Sequence, residues 1–196
     1  MNKTLLIVIG VIFIITVSFW GTYNGLVNKQ ENVSKSWGQV QANYQRRLDL
    51  IPNLVATVKG YAKHEKSTFI DVTNARAKAY QSIGGGESTL NNPQQFRKFE
   101  ASQAALSGAL GRLMVVSERY PDLKSNQNFL TLQTQIEGTE NRINVARERF
   151  NVAVQSYNSS IRVFPGNIVA RISGGFSEKS YFQAQQQAAQ APQVKF

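Results

Sequence analysis

Residues 33–62 read VSKSWGQVQANYQRRLDLIPNLVATVKGYA, and the spacing of their apolar side chains decides the fold class. Val33, Trp37, Val40, Tyr44, Leu48, Ile51, Val55, Val58 and Ala62 follow one another in three- and four-residue steps. That spacing holds them on one helix face for many turns, as in long bundle helices. The rhythm continues through Phe69, Val72 and Ala79, with Glu65 and Arg76 occupying two seam positions. Polar side chains there point to a partner helix that is absent or polar at those levels. Pro52 stands mid-seam. A proline inside a helix removes one backbone donor and crowds the carbonyl four residues earlier, here that of Leu48, so a kink or restart is expected over 50–53.

Upstream of the seam no charged side chain occurs between Lys3 and Lys29, and residues 5–20 are almost wholly apolar. At ~1.5 Å per residue a bilayer core needs about 20 apolar residues, and residues 5–23 meet that length. Thr16 and Ser18 can bond back to their own helix, while Trp20 and Tyr23 suit the headgroup boundary. A cleaved leader would need small residues at a cut site, whereas Val17-Ser18-Phe19-Trp20 places large aromatics there. The run reads as a retained anchor.

Downstream, the first helix is expected to end at 81–83, where Gly84-Gly85-Gly86 opens a polar connection. Asn92-Pro93 supplies a cap followed by proline at the first helical position, with Gln95 three after the cap. Phe96, Phe99, Leu106, Leu110 and Leu113 form the next apolar face, and Tyr120-Pro121-Asp122 stops it. A further helix starts near Ser125 or Asn126, with a seam of Phe129, Leu132, Ile136, Ile143, Ala146, Phe150, Ala153 and Tyr157. Phe164-Pro165-Gly166-Asn167 ends it. Ile168, Val169 and Ile172 form a short apolar piece before the turn at Gly174-Gly175. Phe176, Tyr181 and Phe182 are expected to pack back on the bundle, and the Gln/Ala-rich tail to fray from about Gln183.

No segment shows sustained two-residue alternation, so the expected fold is all-α. A short tail (1–4) precedes a transmembrane helix (5–23), an antiparallel helical bundle (24–182) and a C-terminal tail (183–196). The bundle has three long helices, or four if the first restarts at Pro52. Unbroken, the first helix would span roughly 70–80 Å and the second about half of that. Either the long helix folds back at Pro52, or it protrudes and needs a second copy to cover its seam.

The 196 residues lack cysteine, which removes disulfides, thiolate metal sites and thiol nucleophiles together. One histidine, His64, excludes histidine-rich metal sites. The formal charge of +10 is scattered, with only Arg46-Arg47 and Arg97-Lys98 adjacent and no basic-aromatic motif, so no nucleic-acid partner is expected. For a tethered domain the nearer polyanion is the membrane surface, where each basic group contributes about 1 kcal/mol; general solubility is the other meaning of the same charge.

Arg46, Arg47 and Asp49 beside Pro52 are the densest polar cluster. Freed N–H groups and guanidinium groups at a helix break can hold a carboxylate or phosphate, which makes these three the candidate partner or anion contact. In the structural alternative Asp49 caps or pairs near the break and both arginines lie on a solvated face. His64 and Glu65 are adjacent, ~100° apart around a helix, and cannot chelate together. Glu137 and Glu140 share a helix face, but di-metal bundles want glutamates from several helices and two histidines. Interhelical ion pairs to Arg46, Arg47 or Arg76 are the expectation for them. No catalytic, cofactor-binding or metal-binding residue is expected, and no cofactor. Gly84-Gly85-Gly86 lacks the lysine and hydroxyl of a phosphate loop.

Several stretches together resemble one family across essentially the whole chain. They are Tyr23-Asn24-Gly25-Leu26-Val27, the run from Arg46 to Glu65, Tyr120-Pro121-Asp122-Leu123, Glu137-Gly138-Thr139-Glu140-Asn141-Arg142-Ile143, Ala146-Arg147, Tyr157-Asn158 and Phe164-Pro165. The chain resembles the LemA family of bacterial membrane proteins. The resemblance implies one N-terminal membrane segment, a helical bundle and no catalytic residues. A related branch takes part in forming internal bacterial membranes. Some relatives resemble lipoproteins, with a cysteine just before the Tyr-Asn pair where this chain has Gly21-Thr22, and they imply an extracytoplasmic bundle.

The expected function is that of a single-pass scaffold or interaction protein in the cell (inner) membrane. It holds the bilayer through residues 5–23 and contacts copies of itself or a membrane-protein partner. The alternative is a membrane-bound hydrolase or transferase using Arg46, Arg47, Asp49, His64 and Glu65. Lys3 on one side of the run and Lys29 and Lys35 on the other leave its orientation balanced by charge alone.

Overall fold

The apolar seam folds as a helix that does not stop at its proline. In the computed structural model, which describes residues 2–86 and 88–183, helix α1 runs unbroken over Lys3–Tyr61 with Pro52 inside it. The chain reverses over residues 62–65, and α2 (Lys66–Ile83) returns antiparallel to α1. A short α3 (Ser88–Asn91) leads to α4 (Pro93–Ser117), and α5 (Pro121–Lys124) to α6 (Gln127–Arg162). An eight-residue α7 (Gly166–Ser173) follows. Among the described residues there is no strand.

The expected break at Pro52 is therefore displaced to 62–65. Proline is tolerated at 52 because its ring lies on the exposed face of α1, and the Leu48 carbonyl it orphans accepts a hydrogen bond from Arg76 Nε at 2.9 Å. The four-rod version of the bundle is the one adopted, with α1, α2, α4 and α6 running up, down, up and down. Helix α6 packs along α1 and α4 along α2.

Two side-chain clusters fill the interior. The one farther from the apolar run gathers Leu48, Ile51, Leu54 and Val58 of α1 with Val72 of α2, Leu106 and Leu113 of α4, and Phe129 of α6. The other is aromatic: Trp37, Phe96, Phe99, Phe150 and Phe182 meet with Trp37–Phe99 centroids 5.1 Å and Phe96–Phe182 centroids 5.0 Å apart. Edge and tilted ring pairs of this kind contribute ~0.5–1.5 kcal/mol each beyond their area burial. Two α1 side chains also tie down the end of α2, Gln41 Nε2 donating to the Ile83 carbonyl (3.0 Å) and Trp37 Nε1 to that of Gly86 (3.1 Å).

The caps follow the sequence. Asn92 Oδ1 accepts from the N–H groups of Gln94 and Gln95 with Pro93 at the first position, and Asn126 Oδ1 accepts from Phe129 N–H. Gly174, with φ +66°, closes α7 in the left-handed conformation that glycine adopts without a Cβ penalty. Phe176 packs half-buried and Phe182 is buried, while Tyr181 remains 37% exposed. Gln183 is held at both backbone groups, its N–H donating to Glu100 Oε1 and its carbonyl accepting from Arg147 Nη2. The rest of the expected tail, 184–196, lies outside the described residues.

Leu26 and Val33, the seam positions nearest the apolar run, are covered by α7 and α6 of the same chain. The seam by itself thus asks for no second copy. Residues 5–18 are exposed throughout, with Ile7, Phe13 and Ile14 each about two-thirds accessible. This part of α1 is long and apolar enough to cross a membrane.

Candidate functional site

The polar centre of the bundle grows from one seam position. Arg47 lies three residues after Tyr44 and seven before Leu54, so the α1 turn that buries those side chains buries it as well. Its accessibility is 1%. Arg46 and Asp49 point elsewhere, both exposed, and Asp49 accepts from Gln45 Nε2 at 2.8 Å on its own helix. The three expected contact residues thus do not form one cluster, because successive helical residues diverge by ~100°. The solvated-face placement holds for Arg46 and fails for Arg47.

The two Nη groups of Arg47 are held from two other helices, while its buried Nε has no partner among the described residues. Nη1 donates to Glu140 Oε1 of α6 at 2.6 Å and to Ser107 Oγ of α4 at 2.8 Å. Nη2 donates to Gln103 Oε1 at 2.7 Å, and Gln103 Nε2 passes the network on to the Ala79 carbonyl and Ser82 Oγ of α2, both at 3.2 Å. The guanidinium carbon stands 5.0 Å from the Tyr44 ring centre, an arrangement that contributes cation–π attraction. One buried cation thereby locks the register of four helices, a role that buried ion pairs fill better than they add stability. The interhelical pair expected of Glu140 is this one.

Above Arg47 the fourth side of the bundle is open. A groove of about 1180 Å³ runs between α4 and α6. Its floor carries Leu110, Ile136 and Ile143, and its α4 side combines the small Ala101, Ala104, Ser107 and Gly111 with Gln103 and Met114. Glu137, Asn141 and Asn144 line the α6 side, with Glu100, Arg147 and Gln183 at one end. Burial pushes the Glu100 carboxyl above its ordinary value, more than the Gln183 N–H and the Arg147 charge pull it down. Arg147 lies over the Phe182 ring, 4.6 Å from its centre. The groove is suited to holding a segment by shape, an apolar floor and a polar rim.

The other sequence candidates lie apart from it. His64 is exposed in the 62–65 turn, and Glu65 there pairs with Arg119, in the turn just after α4, at 3.0 Å. Some 15 helical residues, roughly 22 Å, separate that turn from Arg47. The five residues of the hydrolase alternative therefore do not converge. Among the described residues no three His, Asp or Glu side chains come together to hold a metal ion. Gln103, Ser107 and Ser82 were not singled out from the sequence, although Gln103 falls four after Phe99 and three before Leu106, at a core position of α4.

An up-down four-helix bundle with a membrane-length apolar extension of its first helix is the class these features define. The chain belongs to the LemA family, whose model matches residues 36–196. It is similar to magnetosome protein MamQ 2 of Paramagnetospirillum magneticum, 29% identical over 176 residues that cover 82% of this chain and 64% of that protein. It is also similar to magnetosome protein MamQ of Magnetospirillum gryphiswaldense, at 25% identity with 82% and 64% covered. Protein LemA of Metamycoplasma hominis is 25% identical over 85% of this chain and 70% of its own length. The chain thus spans a little under two thirds of the magnetosome proteins it matches. None of these names states an enzymatic activity.

Proposed function

We propose that the protein is a single-pass scaffold of the cell (inner) membrane, held by residues 5–23, whose extracytoplasmic bundle works by receiving a helical segment of a membrane-protein partner or of a second copy. The observation that carries this reading is the groove between α4 and α6, with small residues on one wall, an apolar floor and Arg47 locked beneath it. Small wall residues let a helix backbone approach closely, and the rim side chains supply specificity. Arg47 acts as the strut that keeps the two walls at a fixed separation, not as the partner's direct contact. The exposed apolar run of α1 supports the anchor, and lipoprotein-like relatives support the side of the membrane.

The test is site-specific photocrosslinking in native membranes. A photoreactive side chain at Ala104 or Gly111 is expected to capture a discrete adduct, and one at Ile70, exposed on α2, is not. Equal or absent capture at the three positions overturns the groove as the contact surface. The cysteine-free sequence also makes orientation readable: a Val152→Cys chain in intact cells reacts with an impermeant maleimide only if the bundle faces outward.

A further inference from the structure

Helix α7 is apolar on two faces, and the bundle covers only one of them. Val169 and Ala170 turn inward and are buried against Leu26 of α1, with Phe19, Ile161 and Phe176 packed around them. Gly166 enters the same contact, where a Cβ would run into the Ser160 carbonyl. Tyr23 meets Phe176 edge-on at 5.6 Å. On the other side Ile168 and Ile172, one turn apart, are 48% and 68% exposed, and beside them Val163 and Phe164 are 58% and 77% exposed. Asn167 and Arg171 make the remaining side of α7 polar, so its apolar sector is wider than the part the bundle covers. Elsewhere on the bundle the large exposed apolar residues are more scattered, Ile70 on α2, Val115 on α4, and Val145 and Val152 two turns apart on α6, which is normal for a surface.

The position of this patch along α1 says what covers it. Phe19 belongs to the apolar run, and Leu26 begins the bundle seam only ~10 Å further along the helix axis. Helix α7 is therefore packed across the point where the run leaves the bilayer. We infer that α7 and the 163–165 turn form a second membrane contact, an interfacial foot whose Phe164, Ile168 and Ile172 enter the headgroup–acyl boundary beside the anchor. An amphipathic element in that plane buries its apolar side ~5–10 Å deep while basic groups meet anionic lipid. Arg171, exposed on α7, and Lys29, which donates to the Ser156 carbonyl at 3.5 Å, supply that charge at the same level. The foot fixes how the bundle stands on the membrane, which a single spanning helix leaves free to rotate and tilt.

The inference rests on residues 5–23 spanning the bilayer, and the experiment separates the two. Single cysteines are placed in the full chain at Trp20, Phe164, Ile172 and Lys124, labelled with an environment-sensitive fluorophore, and the protein is reconstituted in phosphatidylcholine–phosphatidylglycerol vesicles containing shallow doxyl-labelled lipid. All four side chains are exposed, so the fold tolerates the label. The expected result is a blue shift and loss of most emission at Trp20, Phe164 and Ile172, with the distal Lys124 probe unchanged. Quenching at Trp20 alone overturns the foot and leaves the anchor standing. A blue shift at Ile172 without lipid quenching means that protein covers the face, and overturns the inference too. No quenching at Trp20 removes the anchor and the foot with it.

Discussion

The Nε of Arg76 donates a 2.9 Å hydrogen bond to the carbonyl oxygen of Leu48, the acceptor that Pro52 leaves without its helical donor. Two positions that disturb the seam in the sequence, a mid-helix proline and a charged residue on an apolar face, answer each other in space. Arg76→Met strands that carbonyl and is expected to cost about 1–3 kcal/mol. Pro52→Ala restores an N–H to the same oxygen, so the double variant should lose markedly less than Arg76→Met alone. Denaturant midpoints of the four chains in detergent give the coupling; strictly additive effects would show that the two residues do not share the acceptor.

Removing Glu140 leaves the Arg47 guanidinium buried without its carboxylate. Breaking a fully buried pair costs ~3–5 kcal/mol, and about half of that is expected for Glu140→Ala because the Glu140 side chain is 35% exposed and water can enter. Replacing both partners by apolar residues, Arg47→Met with Glu140→Leu, should recover most of the loss. Proton spectra would then show broader lines from α4 and α6, since Gln103 and Ser107 lose the group that holds their register. Unchanged stability in Glu140→Ala contradicts the strut.

Glu100 carries a carboxyl held above its ordinary value by burial. The folded chain therefore keeps that proton to higher pH than the unfolded chain does, so this group's contribution falls as pH rises from the ordinary carboxylate value through the raised one. Glu100→Gln keeps an acceptor for the Gln183 N–H and has no charge to desolvate. Its thermal midpoint should exceed that of the parent near pH 7, and the gap should close below about pH 4, where both chains are neutral at this position. A gap of equal size at both pH values would assign the effect to something other than titration.

Gly166 meets the Ser160 carbonyl with no room for a side chain. Gly166→Ala must push α7 away from α6 and is expected to cost about 1–3 kcal/mol of overpacking strain, confined to this corner. Limited trypsinolysis reads it locally: cleavage after Arg171 should quicken, while cleavage after Arg112 on the exposed face of α4 keeps its rate.

Much of this architecture is visible in apolar spacing and turn residues. The seams of α1 and α6, the Asn92-Pro93 cap, the start at Asn126 and the Gly174 stop all rest on local chemistry, and each appears where that chemistry puts it. The turn at 62–65 was hidden because the three-and-four rhythm passes through it from Ala62 to Phe69, whereas Pro52 advertised a break that Arg76 from another helix prevents. The burial of Arg47 is masked in the sequence for a related reason. Its neighbour Arg46 is exposed, and the pair reads as one basic patch until the seven-residue interval to Leu54 is given weight over the charge. The groove is less visible still, because a missing contact between α4 and α6 leaves no mark on either helix beyond a run of small residues.

An uninterrupted α1 also turns the bundle into a lever. From residue 24 to Tyr61 it extends ~57 Å, so a spanning segment inclined at the common ~20° would carry the 62–65 turn sideways by ~20 Å. With residues 5–23 as the proposed anchor, small rotations there would be magnified at the far tip around His64, and the proposed α7 contact would be what limits that arc. The reach of the molecule is set at its base.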